Sequence, residues 1–169
     1  MASIYGSAKS EAGYTWQLRL DYTVTQDTES NRSKLVCNLY VKPGSSGGFN
    51  EEANSAYYTI CGEKKFKTYK FTSTSWVKLG GRTITVEHEA DGSKSYKLSA
   101  SWVSDNETYY TPAKISLSET VELPKINRGT AWVNVDGTWC RSIPWFNVDG
   151  TWNRAVPHIN AEGNWQRSV

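Results

Sequence analysis

The chain has 169 residues, with 19 Lys and Arg against 17 Asp and Glu, a net charge of +2 and 13% aromatic residues. That length holds one domain of about 120–130 residues plus a tail, and the near-neutral balance leaves no electrostatic footprint for nucleic acid. Apolar runs are only a few residues long and no basic-then-apolar leader opens the chain, so neither a membrane span nor a secretion signal is expected. Cys37, Cys61 and Cys140 lack CxxC or Cys/His metal spacing; they read as free thiols of a protein folded in a reducing cytoplasm, with Cys37 buried.

The first clear element is Tyr14–Thr25, which alternates for six periods. Tyr14, Trp16, Leu18, Leu20, Tyr22 and Val24 take one side, while Thr15, Gln17, Arg19, Asp21, Thr23 and Thr25 take the other, the pattern of a half-buried antiparallel strand. Further strands are predicted at 35–42 (Leu35, Cys37, Leu39 and Val41 inward), 56–61, 65–71, 83–89, 94–103 (Tyr96, Leu98, Ala100 and Trp102 inward) and 113–123. The predicted links are Asp27–Lys34, Pro43–Ser55, Gly80-Gly81, Asp91-Gly92 and Ser104–Thr108, and no helix longer than one turn is expected. Seven or eight short strands with turn signals every 8–15 residues indicate an all-β antiparallel sandwich of immunoglobulin or fibronectin III style over 1–126, with 127–131 as a bridge.

Residues 132–169 are one motif written three times. Asn134/147/160, Gly137/150/163, Trp139/152/165 and Arg141/154/167 recur at a spacing of 13. Each unit reads as a β-hairpin, because Asp136-Gly137 and Asp149-Gly150 suit a two-residue type I′ turn and Glu162-Gly163 is a weaker version of it. That turn sets Val135 opposite Thr138, Asn134 opposite Trp139 and Trp132 opposite Arg141, placing Trp and Arg on one face. Pro144 and Pro157 close the first two units. Lone hairpins are marginal in water, and these carry apolar groups on both faces, so they must pack against something. The face bearing Trp132, Trp139, Arg141, Trp145, Trp152, Arg154, Trp165 and Arg167 is therefore either a small core or oligomer interface, or a surface on which indoles stack against sugar rings.

Three stretches also resemble a known family. Tyr14–Val41 with its Asn31-Arg-Ser-Lys-Leu turn, Thr83–Trp102 with His88-Glu-Ala-Asp-Gly-Ser-Lys94, and Val121-Glu-Leu-Pro-Lys-Ile-Asn-Arg128 are similar to a domain in structural proteins of long-tailed bacteriophages, the siphovirus proteins of unknown function. That family shows Asn-x-Ser-x-Val, His-Asn-Ala-Asp-Gly-Ser-Lys and Leu-Pro-x-Ile-x-Arg in this order; here Glu89 stands where Asn is usual. The Trp-x-Asn-Val-Asp-Gly-Thr-Trp repeats are likewise similar to short repeats of phage and prophage tail proteins. The resemblance implies a virion part made in the bacterial cytoplasm, not a chemistry.

No residues nominate catalysis. His88 leads into the Asp91-Gly92 turn as a strand-end hydrogen-bonder, and His158 takes the Trp place of the third repeat. There is no Gly-x-Ser-x-Gly elbow, P-loop, zinc motif or EF-hand, and Asn-Val-Asp-Gly supplies too few spaced carboxylates for calcium. The expectation is thus a non-enzyme with no cofactor, no metal, no nucleic acid and no membrane partner. Its expected partners are other virion proteins, copies of itself (a trimer, by analogy with phage fibres) and host cell-wall glycan. A tail-tip, baseplate or fibre component leads; a capsid decoration protein and a bacterial wall-binding module are the alternatives, the last disfavoured by the missing export signal.

Overall fold

The computed structural model describes residues 1–44, 49–51, 56–67, 69–71, 73–104, 109–126, 131–142, 144–155, 158–161 and 164–167. The backbone alone is described at 49–51, 69–70, 131–132, 139–141, 154, 158–161 and 164–167. Of the expected links, 45–48, 52–55, 105–108 and 127–130 lie outside the described residues.

The described chain is all-β. Its first ten strands are β1 (Ala2–Lys9), β2 (Thr15–Asp27), β3 (Arg32–Lys42), β4 (Phe49–Glu51), β5 (Tyr57–Ile60), β6 (Glu63–Phe66), β7 (Tyr69–Phe71), β8 (Val77–Glu87), β9 (Ser95–Val103) and β10 (Lys114–Glu122). They form two four-stranded sheets, ordered β1-β2-β3-β8 and β10-β9-β5-β6, and a small β4-β7 pair. The chain divides into two compact units: Met1–Thr25, Lys34–Val86 and Ser95–Leu123 in the first, Gln26–Ser33, Glu87–Lys94 and Pro124–Val169 in the second.

Alternation in the sequence becomes burial in the first unit. Trp16, Leu18 and Leu20 of β2, Leu35, Cys37, Leu39 and Val41 of β3, and Leu98, Ala100 and Trp102 of β9 are all buried in one cluster fed by both large sheets. Trp16 stacks on Trp102 with centroids 5.5 Å apart, and Phe71 stands edge-on to both. Such aromatic packing adds about 0.5–1.5 kcal/mol per pair beyond the area it buries. The Trp16 Nε1–H donates to the Tyr110 carbonyl at 3.0 Å, so one buried indole keeps its polar edge satisfied.

One strand goes unpredicted and three expectations are corrected. β1 was not legible: it pairs antiparallel with β2, Ile4 opposite Leu20, although Ile4 is its one buried aliphatic side chain. The strand expected at 65–71 is two strands, β6 and β7, with β7 paired to β4, which falls inside the expected link Pro43–Ser55. Gly80-Gly81 is no link but lies within β8, where the inward positions change from odd (Leu79) to even (Ile84, Val86), the mark of an extra residue in the strand. A Cβ at Gly80 would collide with the Tyr58 hydroxyl, so glycine is there for close approach. Finally, Asp21 sits on the polar side of β2 but is only 4% exposed, because Ser3 and Arg19 cover its carboxylate.

Candidate functional site

Three hairpins follow: β11 (Ala131–Val135) with β12 (Thr138–Ser142), β13 (Trp145–Val148) with β14 (Thr151–Arg154), and β15 (His158–Ala161) with β16 (Asn164–Arg167). Trp132 pairs with Arg141, Asn134 with Trp139 and Val135 with Thr138 in the first; Trp145 pairs with Arg154 and Asn147 with Trp152 in the second; His158 pairs with Arg167 and Asn160 with Trp165 in the third. Asp136 (φ 50°), Gly137 (φ 81°), Asp149 (φ 49°) and Gly150 (φ 82°) are all left-handed, as a type I′ turn requires. The third turn, at 162–163, lies outside the described residues.

The repeated asparagine has a local task that turn chemistry alone did not reveal. Asn134 Oδ1 accepts the Gly137 N–H at 2.9 Å, and Asn147 Oδ1 accepts the Gly150 N–H at 2.9 Å. The side chain thus ties the first strand of each hairpin to its turn.

In the second hairpin Trp145, Asn147, Trp152 and Arg154 share one face, and Phe146, Val148, Thr151 and Asn153 the other. Both faces are open: Trp145 and Phe146 are nearly half exposed and Trp152 is 65% exposed. In the first hairpin Val133 and Val135 are exposed on the face away from Trp132. The side chains of Trp132, Trp139, Arg141, Arg154, Trp165 and Arg167 lie outside the described residues, so their backbone register is what the structure places. An exposed indole on a short ribbon offers a flat apolar plate with one donor at its edge.

The sequence motifs around Asn31, His88 and Ile126 meet elsewhere in the second unit, in one hydrogen-bonded knot. Asn31 (φ 56°) donates from Nδ2 to the His88 and Glu89 carbonyls, both at 3.0 Å, and accepts the His88 N–H at its own carbonyl. His88 Nδ1 lies 2.8 Å from the Gly92 carbonyl and Nε2 lies 2.8 Å from Ser33 Oγ. Because the Gly92 carbonyl can only accept, Nδ1 carries a proton, and in the neutral ring Nε2 accepts from the Ser33 hydroxyl. The Ile126 N–H completes the knot on the Gly92 carbonyl at 2.9 Å.

This pair has the atoms of a serine–histidine dyad but not its setting. Ser33 is fully buried and His88 is 8% exposed, so no substrate reaches the hydroxyl, and the ring's other nitrogen faces a carbonyl instead of a carboxylate. The knot is a staple. Nearby, Asp91 is held well below the usual carboxylate range, at about 2, by the Ser93 hydroxyl and N–H and by Lys125. Sequence reading gave His88 a strand-end role but missed Ser33 and Asn31, whose partners lie more than 50 positions away.

Among the described residues no group of three or more His, Cys, Asp or Glu side chains is placed to hold a metal ion, and no helix is long and apolar enough to cross a membrane. No curated protein and no solved structure matches this chain. A family model described as siphovirus protein of unknown function matches residues 1–148, from β1 into the second hairpin, and the chain belongs to that family.

Proposed function

We propose that the chain is a non-enzymatic structural component of a siphovirus virion, seated at the tail tip, baseplate or a fibre, that attaches the particle to host cell-wall glycan. The second hairpin carries the reading: Trp145 and Trp152 stand on one face with Arg154 opposite Trp145, and both indoles are exposed. Indoles supply stacking area and an arginine supplies donors, the combination that selects saccharides. The opposite face, with Phe146 and Val148 exposed, supports association of copies, because one ribbon has more apolar surface than a monomer keeps open. A homotrimer is the proposed assembly.

For the sheets we propose an immunoglobulin or fibronectin III-like sandwich over residues 1–126. The order supports it: β3 beside β8 in one sheet and β5 beside β9 in the other reproduce the B–E and C–F neighbours of that Greek key, with β6 and β10 flanking as C′ and G.

Cosedimentation with host cell walls tests the adhesive role. Trp145→Ala/Trp152→Ala should lower retention about tenfold while the melting temperature stays within about 2 °C, as expected of surface side chains. Absence of wild-type binding refutes it, and a melt that also collapses with the double variant makes these indoles core.

A further inference from the structure

The outer face of the first sheet carries a second aromatic site, unrelated to the hairpins. Tyr5 of β1, Arg19 of β2 and Tyr40 of β3 lie on that face, and Trp76, just ahead of β8, reaches back across it. The Arg19 guanidinium lies 4.7 Å from the Tyr40 ring centroid and 4.6 Å from that of Trp76. Tyr5 meets Trp76 edge-on, centroids 6.4 Å apart, yet remains 63% exposed.

The arginine is held on its remaining side as well. Its Nε lies 3.0 Å from Asp21 Oδ1, and that carboxylate also accepts the Ser3 hydroxyl at 2.7 Å. The two rings and the Asp21 charge confine the guanidinium, although its buried Nε–H is not aligned on the carboxylate and makes no hydrogen bond. Among the described residues its terminal nitrogens Nη1 and Nη2 donate to no protein group, and neither is a buried orphan. A fork that is immobilised but open at its tip is a donor set prepared for an external acceptor.

We infer that Tyr5, Arg19, Tyr40 and Trp76 form a binding site for an uncharged pyranose unit. The exposed Tyr5 ring takes the C–H face of the sugar, and Arg19 donates to its hydroxyl and ring oxygens. Charge decides for this occupant over an anion. Asp21 already neutralises Arg19 at contact distance, so the site offers directed hydrogen bonds without net positive potential. A sugar ring also matches the open phenol ring of Tyr5, which takes a plate-shaped partner on its exposed side.

Isothermal titration of the full-length protein with cellohexaose, maltohexaose and chitohexaose, and with polygalacturonate as the anionic arm, tests the inference. At least one neutral oligosaccharide should bind. Tyr5→Ala should weaken it about tenfold, as loss of a stacking ring does, and Tyr5→Phe should leave it unchanged. Arg19→Lys should weaken it comparably, since a lysine keeps the charge but not the fork. The binding component that Tyr5→Ala removes should persist in Trp152→Ala. Failure of all three neutral probes, preference for polygalacturonate, or binding that survives Tyr5→Ala overturns the inference. Binding lost only with Trp152→Ala overturns it while leaving the hairpin reading intact.

Discussion

Gly92 and Gly62 share a backbone conformation and differ in what surrounds them, which separates strain from collision. Gly92 has φ +83° and Gly62 φ +87°, so alanine at either adopts a left-handed conformation costing about 1–2 kcal/mol. At Gly62 a Cβ meets nothing within 4 Å, and Gly62→Ala should cost only that strain. At Gly92 a Cβ would sit well inside 3.0 Å of the Ile126 carbonyl oxygen, a backbone atom that cannot rotate away. Relieving it moves the segment whose N–H donates to the Gly92 carbonyl at 2.9 Å. Overpacking adds about 1–3 kcal/mol and the lost hydrogen bond about 1 kcal/mol. Gly92→Ala should therefore cost about 3–6 kcal/mol in total. Urea denaturation followed by tryptophan fluorescence measures both variants. If Gly92→Ala is no more destabilising than Gly62→Ala, the knot of Asn31, Ser33, His88 and Ile126 is not the staple described.

Three further outcomes follow from the first unit and the knot. Arg82 Nη1 donates to the Ile60 carbonyl at 2.8 Å and to that of Cys61, while Nε lies 2.9 Å from Glu63; Arg82→Met should cost about 2 kcal/mol in the same urea assay, and Arg82→Lys should recover less than half. Asp91 titrates at about 2 in the folded chain against an ordinary 3.8, so its contribution is present above about pH 4 and is lost as pH falls through about 2; Asp91→Asn should flatten the stability profile between those values. Burial, first of all, pushes the Cys37 thiol up to about 11, so iodoacetamide at pH 8 should label the half-buried Cys61 and spare Cys37, as read by peptide mapping that separates both from Cys140.

What could be read in advance followed how local the determining signal was. The hairpin register was legible because Asp136-Gly137 fixes which residues face each other within ten positions, and Trp132 does lie opposite Arg141. The core faces of β2, β3 and β9 were legible because period-two alternation reports burial directly. β1 was not: Ala2–Lys9 is mostly small and polar, and its place depends on a partner strand, with Tyr5 opposite Arg19. Gly80-Gly81 reads as a turn by composition and serves instead to let Tyr58 approach, a fact about the other sheet. The Arg19–Trp76 contact joins residues 57 positions apart, and nothing in either segment announces it. The knot lay between these extremes: its motifs were visible, but only the fold brings Ser33 to His88.

Immunogold labelling of purified siphovirus particles, with antibody raised against this chain, distinguishes a place on the tail from one on the capsid. Label should fall at the tail tip, baseplate or fibres, at several copies per particle. Label on the capsid, or none on intact virions, would contradict that placement.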